Sequence, residues 1–232
     1  MKHLFKALLA VAFIVCGAAV FHPDTPLPDE WNPTKSLQVT APLTPLTKWK
    51  LRAALGNDAQ CLMVMKAAGQ ITALSPLEDS DQCFISPRIR LGSVGQAKMR
   101  PVDTRCQTAL RMAMWEAHGL QTAAIRHLGV PIAEIRHFSS YSCRQMRTSS
   151  GGATRMSTHA TANAIDVSGF VTRDGRTLDL KQHWPQIGPK ADFLRDAFQS
   201  ACLWFPVALG PEFNALHADH FHLQTTGWGL CR

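Results

Sequence analysis

From Ala7 to Phe21 the chain runs ALLAVAFIVCGAAVF, without a charge, directly after Lys2 and Lys6. A basic start followed by an apolar run of this length is an export signal or, if uncleaved, an N-terminal membrane anchor. Gly17, Ala18 and Ala19 offer small residues for cleavage. Counted from Leu4, with Lys6 reaching back to the interface, the run approaches the roughly 20 residues a membrane helix needs. Cys16 follows Val15, where a lipoprotein signal wants a small residue, which argues against lipidation. Either way the rest of the chain crosses a membrane, and this constrains the fold most. It puts Cys61, Cys83, Cys106, Cys143, Cys202 and Cys231 in an oxidising compartment. An even number of exported cysteines predicts three disulfides, against six buried free thiols as the alternative. The preferred pairing is Cys61–Cys83, Cys106–Cys143 and Cys202–Cys231. No C-x-x-C pair exists, so neither a thiolate zinc site nor a thioredoxin-like motif is supported.

Hydrophobic residues make up 46% and charged residues 18% of the 232, a globular balance that excludes a disordered or polytopic membrane chain. The net charge of +7 includes Lys2 and Lys6 of the N-terminal segment, and the remaining excess is spread along the chain. No concentrated basic face appears, so no nucleic-acid partner is expected. A mild basic excess suits a partner that is anionic in bulk, such as a cell-wall polymer.

Three segments follow from the pattern: 1–21 as signal or anchor, 22–45 as an extended linker or strap, and 46–232 as one domain. The second holds Pro23, Pro26, Pro28, Pro33, Pro42 and Pro45. Within the domain, helices are predicted over 47–55 and 59–68, the first ended by Gly56, the second capped by Asp58 and ended by Gly69. Short strands are predicted within 71–94. The longest helix is predicted over 105–127 with Thr104 as N-cap, because Leu110, Met114, Ala117, Leu120, Ala124 and Leu128 recur on one face. Strands follow at 132–141 and 164–171, a loop at 144–158, a hairpin turn at Asp174-Gly175, a return strand at 177–180, a helix at 191–203 and a last strand at 220–225. The class is α+β, a single domain with a mostly antiparallel sheet packed by helices.

Two segments carry chemistry: His159-Ala160-Thr161-Ala162-Asn163-Ala164-Ile165-Asp166, and His217-Ala218-Asp219-His220-Phe221-His222. On a strand His220 and His222 point to the same face. Side by side, the two segments would aim His159, Asp166 and His222 at one point. Three nitrogen or oxygen ligands with an open position form the pattern of a catalytic zinc. The alternative is a surface histidine cluster with Asp166 bonded to backbone. His137, Tyr141, His118 and His127 read as structural, Asn163 as orienting the loop and Ser157 as a partner of His159.

The pair H-x6-D and late H-x-H resembles the LAS superfamily of zinc peptidases, and the H-x-x-H-x-H form is most like its penicillin-insensitive murein endopeptidases. The chain is more closely similar to the bacterial extensin-like C-terminal domain family. Trp31-Asn32-Pro33, Leu46-Thr47-Lys48-Trp49-Lys50, Ser140-Tyr141-Ser142-Cys143-Arg144 and the two histidine segments carry that likeness over about 31–232. The resemblance implies a LAS-like fold, a zinc ion on His159, Asp166 and His222, and a periplasmic location, free or tethered to the inner membrane through residues 4–21. It implies His220 as general base or stabiliser of the tetrahedral intermediate. His217 would be a second imidazole beside it, and Arg144 a grip on substrate carboxylate or oxyanion. The alternative for Arg144 is a surface arginine beside a disulfide. The chain departs from the carboxypeptidase branch, which has a glutamate base before its last histidine; here Asp219 and His220 stand there.

The implied activity is hydrolysis of a peptidoglycan peptide bond, one involving a D-amino acid in a stem or cross-link. The rival readings are a non-catalytic zinc-containing wall-binding domain and an exported structural domain without metal. An intact H-x6-D and H-x-H disfavour the last.

Overall fold

A computed structural model describes residues 2–22, 24–148 and 151–232. Pro23 of the expected linker and positions 149–150 of the expected 144–158 loop lie outside them. The N-terminal helix α1 (Lys2–Phe21) buries no residue and is long and apolar enough to cross a membrane. An export signal and an anchor both fit it.

Segment 22–45 does not remain free of the domain along its length. Leu37 and Val39 are buried in the core, and the His118 imidazole donates to the Val39 carbonyl at 2.6 Å. Lys50 reaches back to the Asp29 carbonyl. Helix α2 (Thr47–Leu55) has the expected bounds. Helix α3 (Asp58–Ala68) is capped by Asn57, whose side chain accepts from the Gln60 amide, and not by Asp58.

Strands β1 (Ile71–Leu74), β2 (Leu77–Ser80), β3 (Cys83–Ile85), β4 (Arg88–Val94) and β5 (Ala97–Arg105) lead into α4 (Cys106–Trp115). A π-helical turn, Glu116–Leu120, separates α4 from α5 (Gln121–Leu128), so the expected single helix is interrupted. The widened turn carries Glu116 inward, where it accepts from the Gln96 amide and Gln121 Nε2. Burial pushes its carboxyl above the usual range despite these bonds. Gly95 closes over it at φ +53°, and a Cβ there would fall 2.0 Å from Glu116 Oε2. Thr104 is not a cap: it lies in β5, its hydroxyl paired with that of Ser140 at 2.6 Å.

After β6 (Ile132–His137), the expected loop is a hairpin of β7 (Gln145–Thr148) and β8 (Gly151–Met156). Then come β9 (Ala164–Thr172), β10 (Thr177–Asp179), α6 (Leu180–His183), α7 (Pro189–Ala201), β11 (Val207–Leu209), β12 (Phe221–Gln224) and β13 (Leu230–Cys231). The predicted last strand is therefore followed by one more.

The main sheet runs β1-β4-β5-β6-β9-β12-β11-β13, with β10 beside β9. It is mostly antiparallel, as expected, but mixed: β5 and β6 are parallel, and so are β11 and β13. The cause is the crossover. Going unread as a strand, β5 hid the fact that α4 and α5 join two strands of one sheet, and such a helical crossover returns the chain parallel.

The period-2 alternation of the strands assigns the faces. Ile89, Leu91, Ile165, Val167, Phe221 and Leu223 are buried in one core with Leu110, Met114, Leu120 and Ala124 of the helical segment. Their neighbours Arg90, Asp166 and His222 therefore stand on the opposite face.

Three bridges form, in a different pattern from that expected: Cys61–Cys106, Cys83–Cys143 and, as expected, Cys202–Cys231. The first joins α3 to the start of α4, and the second joins β3 to the segment after β6. Packing between elements remote in sequence overrides the nearest-neighbour preference. Each bridge should contribute about 2–4 kcal/mol, so removing one should lower the melting temperature by about 5–15 °C. Mass spectrometry without reduction should find all six cysteines bridged; alkylation of several of them in the unreduced domain would contradict this.

Candidate metal centre

Asp166 lies on β9 directly opposite His222 on β12, which pairs it in register across the sheet. His159 arrives from a 3₁₀ turn, Thr158–Thr161, immediately before β9. Ser157 caps that turn by accepting from the His159 backbone amide. The turn ends at Ala162 with φ 49°, and Asn163 ties it down: its carbonyl accepts from the Thr225 amide at the end of β12. Asn163 thus orients the loop, as expected. Ser157 bonds the backbone of His159 and not its ring.

The three side chains converge. His159 Nε2 lies 3.1 Å from Asp166 Oδ1 and 3.2 Å from His222 Nδ1, and His222 Nδ1 lies 2.9 Å from the same carboxylate oxygen. One ligand atom from each falls within 4.8 Å of the others. The bonds on the far sides of the rings fix which atoms face inward. His159 Nδ1 meets the Ser140 carbonyl at 3.0 Å, and a carbonyl has no proton to give, so Nδ1 carries the hydrogen and Nε2 presents a lone pair. His222 Nε2 faces Gln224 Oε1 at 3.4 Å. That amide is oriented by donation from Gln224 Nε2 to the Thr226 carbonyl. His222 Nδ1 then also presents a lone pair. When a ring nitrogen of the cluster takes up a proton, burial acts to raise the Asp166 carboxyl, but hydrogen bonds and charge from His159 and His222 outweigh it and hold the group well below the usual carboxylate range.

Two imidazole lone pairs and a carboxylate oxygen so close together repel one another unless a proton or a cation lies among them. The donor set therefore fits a small divalent cation, and nitrogen and oxygen donors without thiolate suit zinc. Outer hydrogen bonds of this kind, which fix each ring's tautomer, are what hold metal-binding histidines in place. Ser140 and Gln224 went unread in the sequence. Gln224 had a signal, since it stands two residues from His222 on the same strand face. Ser140 had none, because only the fold brings it to His159.

His220 and His217 flank the cluster. His220 Nδ1 bonds Asp219 Oδ1 at 2.8 Å, and its Nε2 stands 3.6 Å from Asp166 Oδ1. Its ring packs against Phe138, with centroids 5.7 Å apart. His217 bonds Asn214 Oδ1 through Nδ1 at 2.7 Å, and its ring lies 5.2 Å from that of His220 and 5.8 Å from that of His222. Arg144 is not joined to this group by a hydrogen bond or ion pair among the described residues. Its guanidinium meets the neighbouring Gln145 carbonyl at 3.4 Å.

The other histidines are structural, as expected. His137 donates to the Arg100 carbonyl, His118 to that of Val39, and His127 pairs with Asp196. Tyr141 donates to the Asp79 carboxylate, and its hydroxyl is pushed up to about 12 by desolvation and by Asp79.

Burial holds His118 and His137 below their ordinary value of 6.5, and burial with the neighbouring histidines pushes His217 down to about 4. A histidine whose folded pKa is depressed is bound by fewer protons in the fold than in the unfolded chain. Its contribution is present above the unfolded value and is lost as pH falls. Asp103, held low by Arg90 and Arg88 against its desolvation, contributes stability above its ordinary value of 3.8 and loses it only as pH falls from there toward its lower folded value. Thermal stability should therefore drop from pH 7 to pH 5 through these rings, with Glu116, whose carboxyl burial raises, acting in the opposite sense. A melting temperature constant across that interval would contradict the burial of these rings as neutral groups.

The class is then defined: an exported-type α+β domain with a two-histidine, one-aspartate centre on the sheet face away from the helices. The family model described as extensin-like protein C-terminus matches residues 59–232, most of the chain, and the chain belongs to that family. No match was found among curated proteins or among solved structures.

Proposed function

We propose that this protein is a zinc-dependent peptidase of the bacterial cell envelope that hydrolyses a peptide bond of peptidoglycan. One observation carries the reading: the lone pairs of His159 Nε2 and His222 Nδ1 and the carboxylate of Asp166 meet at one point, with two more imidazoles beside them. The arrangement of these residues in the sequence, H-x6-D and H-x-H, resembles that of the LAS zinc peptidases. When bound, zinc supplies Lewis acidity, polarising an amide carbonyl and lowering the pKa of water to about 7.

The chain's own groups supply the rest. Asp219 takes the Nδ1 hydrogen of His220, which leaves Nε2 as a base facing the centre. The role filled elsewhere by a glutamate then falls to an Asp–His pair, in which the carboxylate orients the ring and stabilises it once protonated. Asn214 fixes His217 in the same sense. Because His217 stays neutral at pH 7, it is suited to donate or accept a hydrogen bond at substrate and not to act as a fixed positive charge. Arg144 would meet substrate only at the hairpin edge.

The test is zinc content together with muropeptide release from purified sacculi. About one zinc per chain and new free stem or cross-link termini are expected. Protein carrying full zinc yet inert on every stem peptide and cross-link would defeat the peptidase reading. It would leave a zinc-containing wall-binding domain, for which pull-down by intact sacculi is the test.

A further inference from the structure

A groove of about 590 Å³ is lined by Arg90, Arg100, Asp103, Phe138 and Tyr141 on the face of the sheet that carries the histidines. A second cavity of about 450 Å³ continues from it across Arg90 and Pro101 to Lys66 and Thr72 at the β1 edge. The near end is joined to the metal centre through Phe138. Its ring packs on His220, and its amide donates to the Asp166 carbonyl at 2.9 Å.

The charges along this path are unequal. Asp103 is already shared by Arg88 and Arg90. Asp79, at the rim, accepts from Tyr141. Arg100 is exposed, and among the described residues no carboxylate pairs with it. Its Nη2 donates to the Phe138 carbonyl at 2.9 Å and to the His137 carbonyl at 3.4 Å, which holds the guanidinium at the mouth of the groove and leaves Nε and Nη1 without a hydrogen-bond acceptor among the described residues. Lys66 is exposed at the far end. The two cations stand at opposite ends of the path, and between them Asp103 offsets only one of the two charges of Arg88 and Arg90, so the path has no net negative stretch.

We propose that this groove binds the remote part of an extended peptide that carries free carboxylates, with Arg100 gripping one beside the centre and Lys66 attracting another. A guanidinium fixed by its Nη2 bonds offers Nε and Nη1 as charge-assisted donors to a carboxylate, whereas a densely charged polyanion would call for clustered cations. The inference rests on the peptidase reading for which peptide is carried, but its binding step needs no metal and no hydrolysis.

The test uses the full exported domain stripped of metal. The probe is a labelled Ala-Glu-Ala-Glu-Ala peptide, compared with the same peptide holding Gln in place of both Glu. The acidic peptide should bind about 10-fold more tightly, with affinity falling as salt rises. Arg100→Gln should remove most of that difference, and Lys66→Gln about 2–3-fold of it. Lys66 has no structural bond to lose, so that variant guards against an effect of Arg100 on folding. Equal binding of the two peptides, unchanged binding by both variants, or displacement by a sulfated glycan at concentrations where acidic peptide fails would overturn the proposal. If the stripped protein prefers the acidic peptide through Arg100 while the zinc-loaded protein hydrolyses no stem peptide or cross-link, the peptidase reading alone fails.

Discussion

Asp166→Ala should abolish zinc binding and, with it, hydrolysis of muropeptides. Loss of a partner outside the ligand set costs about 10–100-fold in metal affinity, and loss of a direct ligand should cost more. The carboxylate oxygen lies within 3.1 Å of both inward-facing ring nitrogens and is the only carboxylate of the three-residue cluster, so no other side chain in it can replace it. The clearest readout is thermal. A ligand held at about 1,000 times its Kd stabilises the native state by about 4 kcal/mol, a rise of about 8–16 °C for a domain of this size. Wild-type protein should show such a rise with added zinc, and the variant should not. The three disulfides should keep the variant folded, and circular dichroism would verify that. If the wild type neither contains a transition metal nor melts later when zinc is added, the centre has been misread.

His220→Ala should leave zinc in place and reduce cleavage by about 10²–10⁴-fold, the range for a positioned acid or base. The ring stands 3.6 Å from Asp166 and is not needed to complete the ligand set. Asp219→Asn should be milder in the same direction, since the amide still orients the ring but no longer stabilises its protonated form. Arg144→Ala should cost less than either, chiefly in substrate binding. Wild-type activity should fall below about pH 6, as the free imidazoles take up protons and the ligands lose affinity for metal. A His220→Ala protein with normal zinc content and normal cleavage would remove His220 from the reaction and pass the role to His217.

Local signals in the chain were strong where one element could be read alone. Helix α2 has the predicted bounds, β9 ends one residue later than predicted, and the cysteine count anticipated three bridges. The two histidine segments announced the cluster of His159, Asp166 and His222, because H-x6-D and H-x-H are local patterns and a β-strand puts alternate residues on one face. Signals failed where the outcome depended on a distant partner. The periodicity of Leu110 to Leu128 is the same on either side of the π-helical turn, so nothing local marked the interruption. Only the buried site that accepts Glu116, closed by Gly95 and the Gln96 amide, shows why the helix widens there. The hairpin of β7 and β8 hid in a Ser/Gly/Thr/Arg-rich stretch that carries almost no apolar alternation.

By itself, then, the sequence determined an N-terminal apolar segment that fits a signal or an anchor, a disulfide-bonded α+β domain and the identity of His159, Asp166 and His222 as one chemical group. These follow from composition, cysteine number and spacing along a strand, all short-range properties. The tertiary structure decided the disulfide pairing, the parallel step between β5 and β6, and the partners that set each ring's tautomer. It also decided that Arg100, which has no carboxylate partner among the described residues, stands in the groove beside His220. The reason is physical: each of these depends on which elements pack together, and packing is set by the fit of buried faces across the whole core.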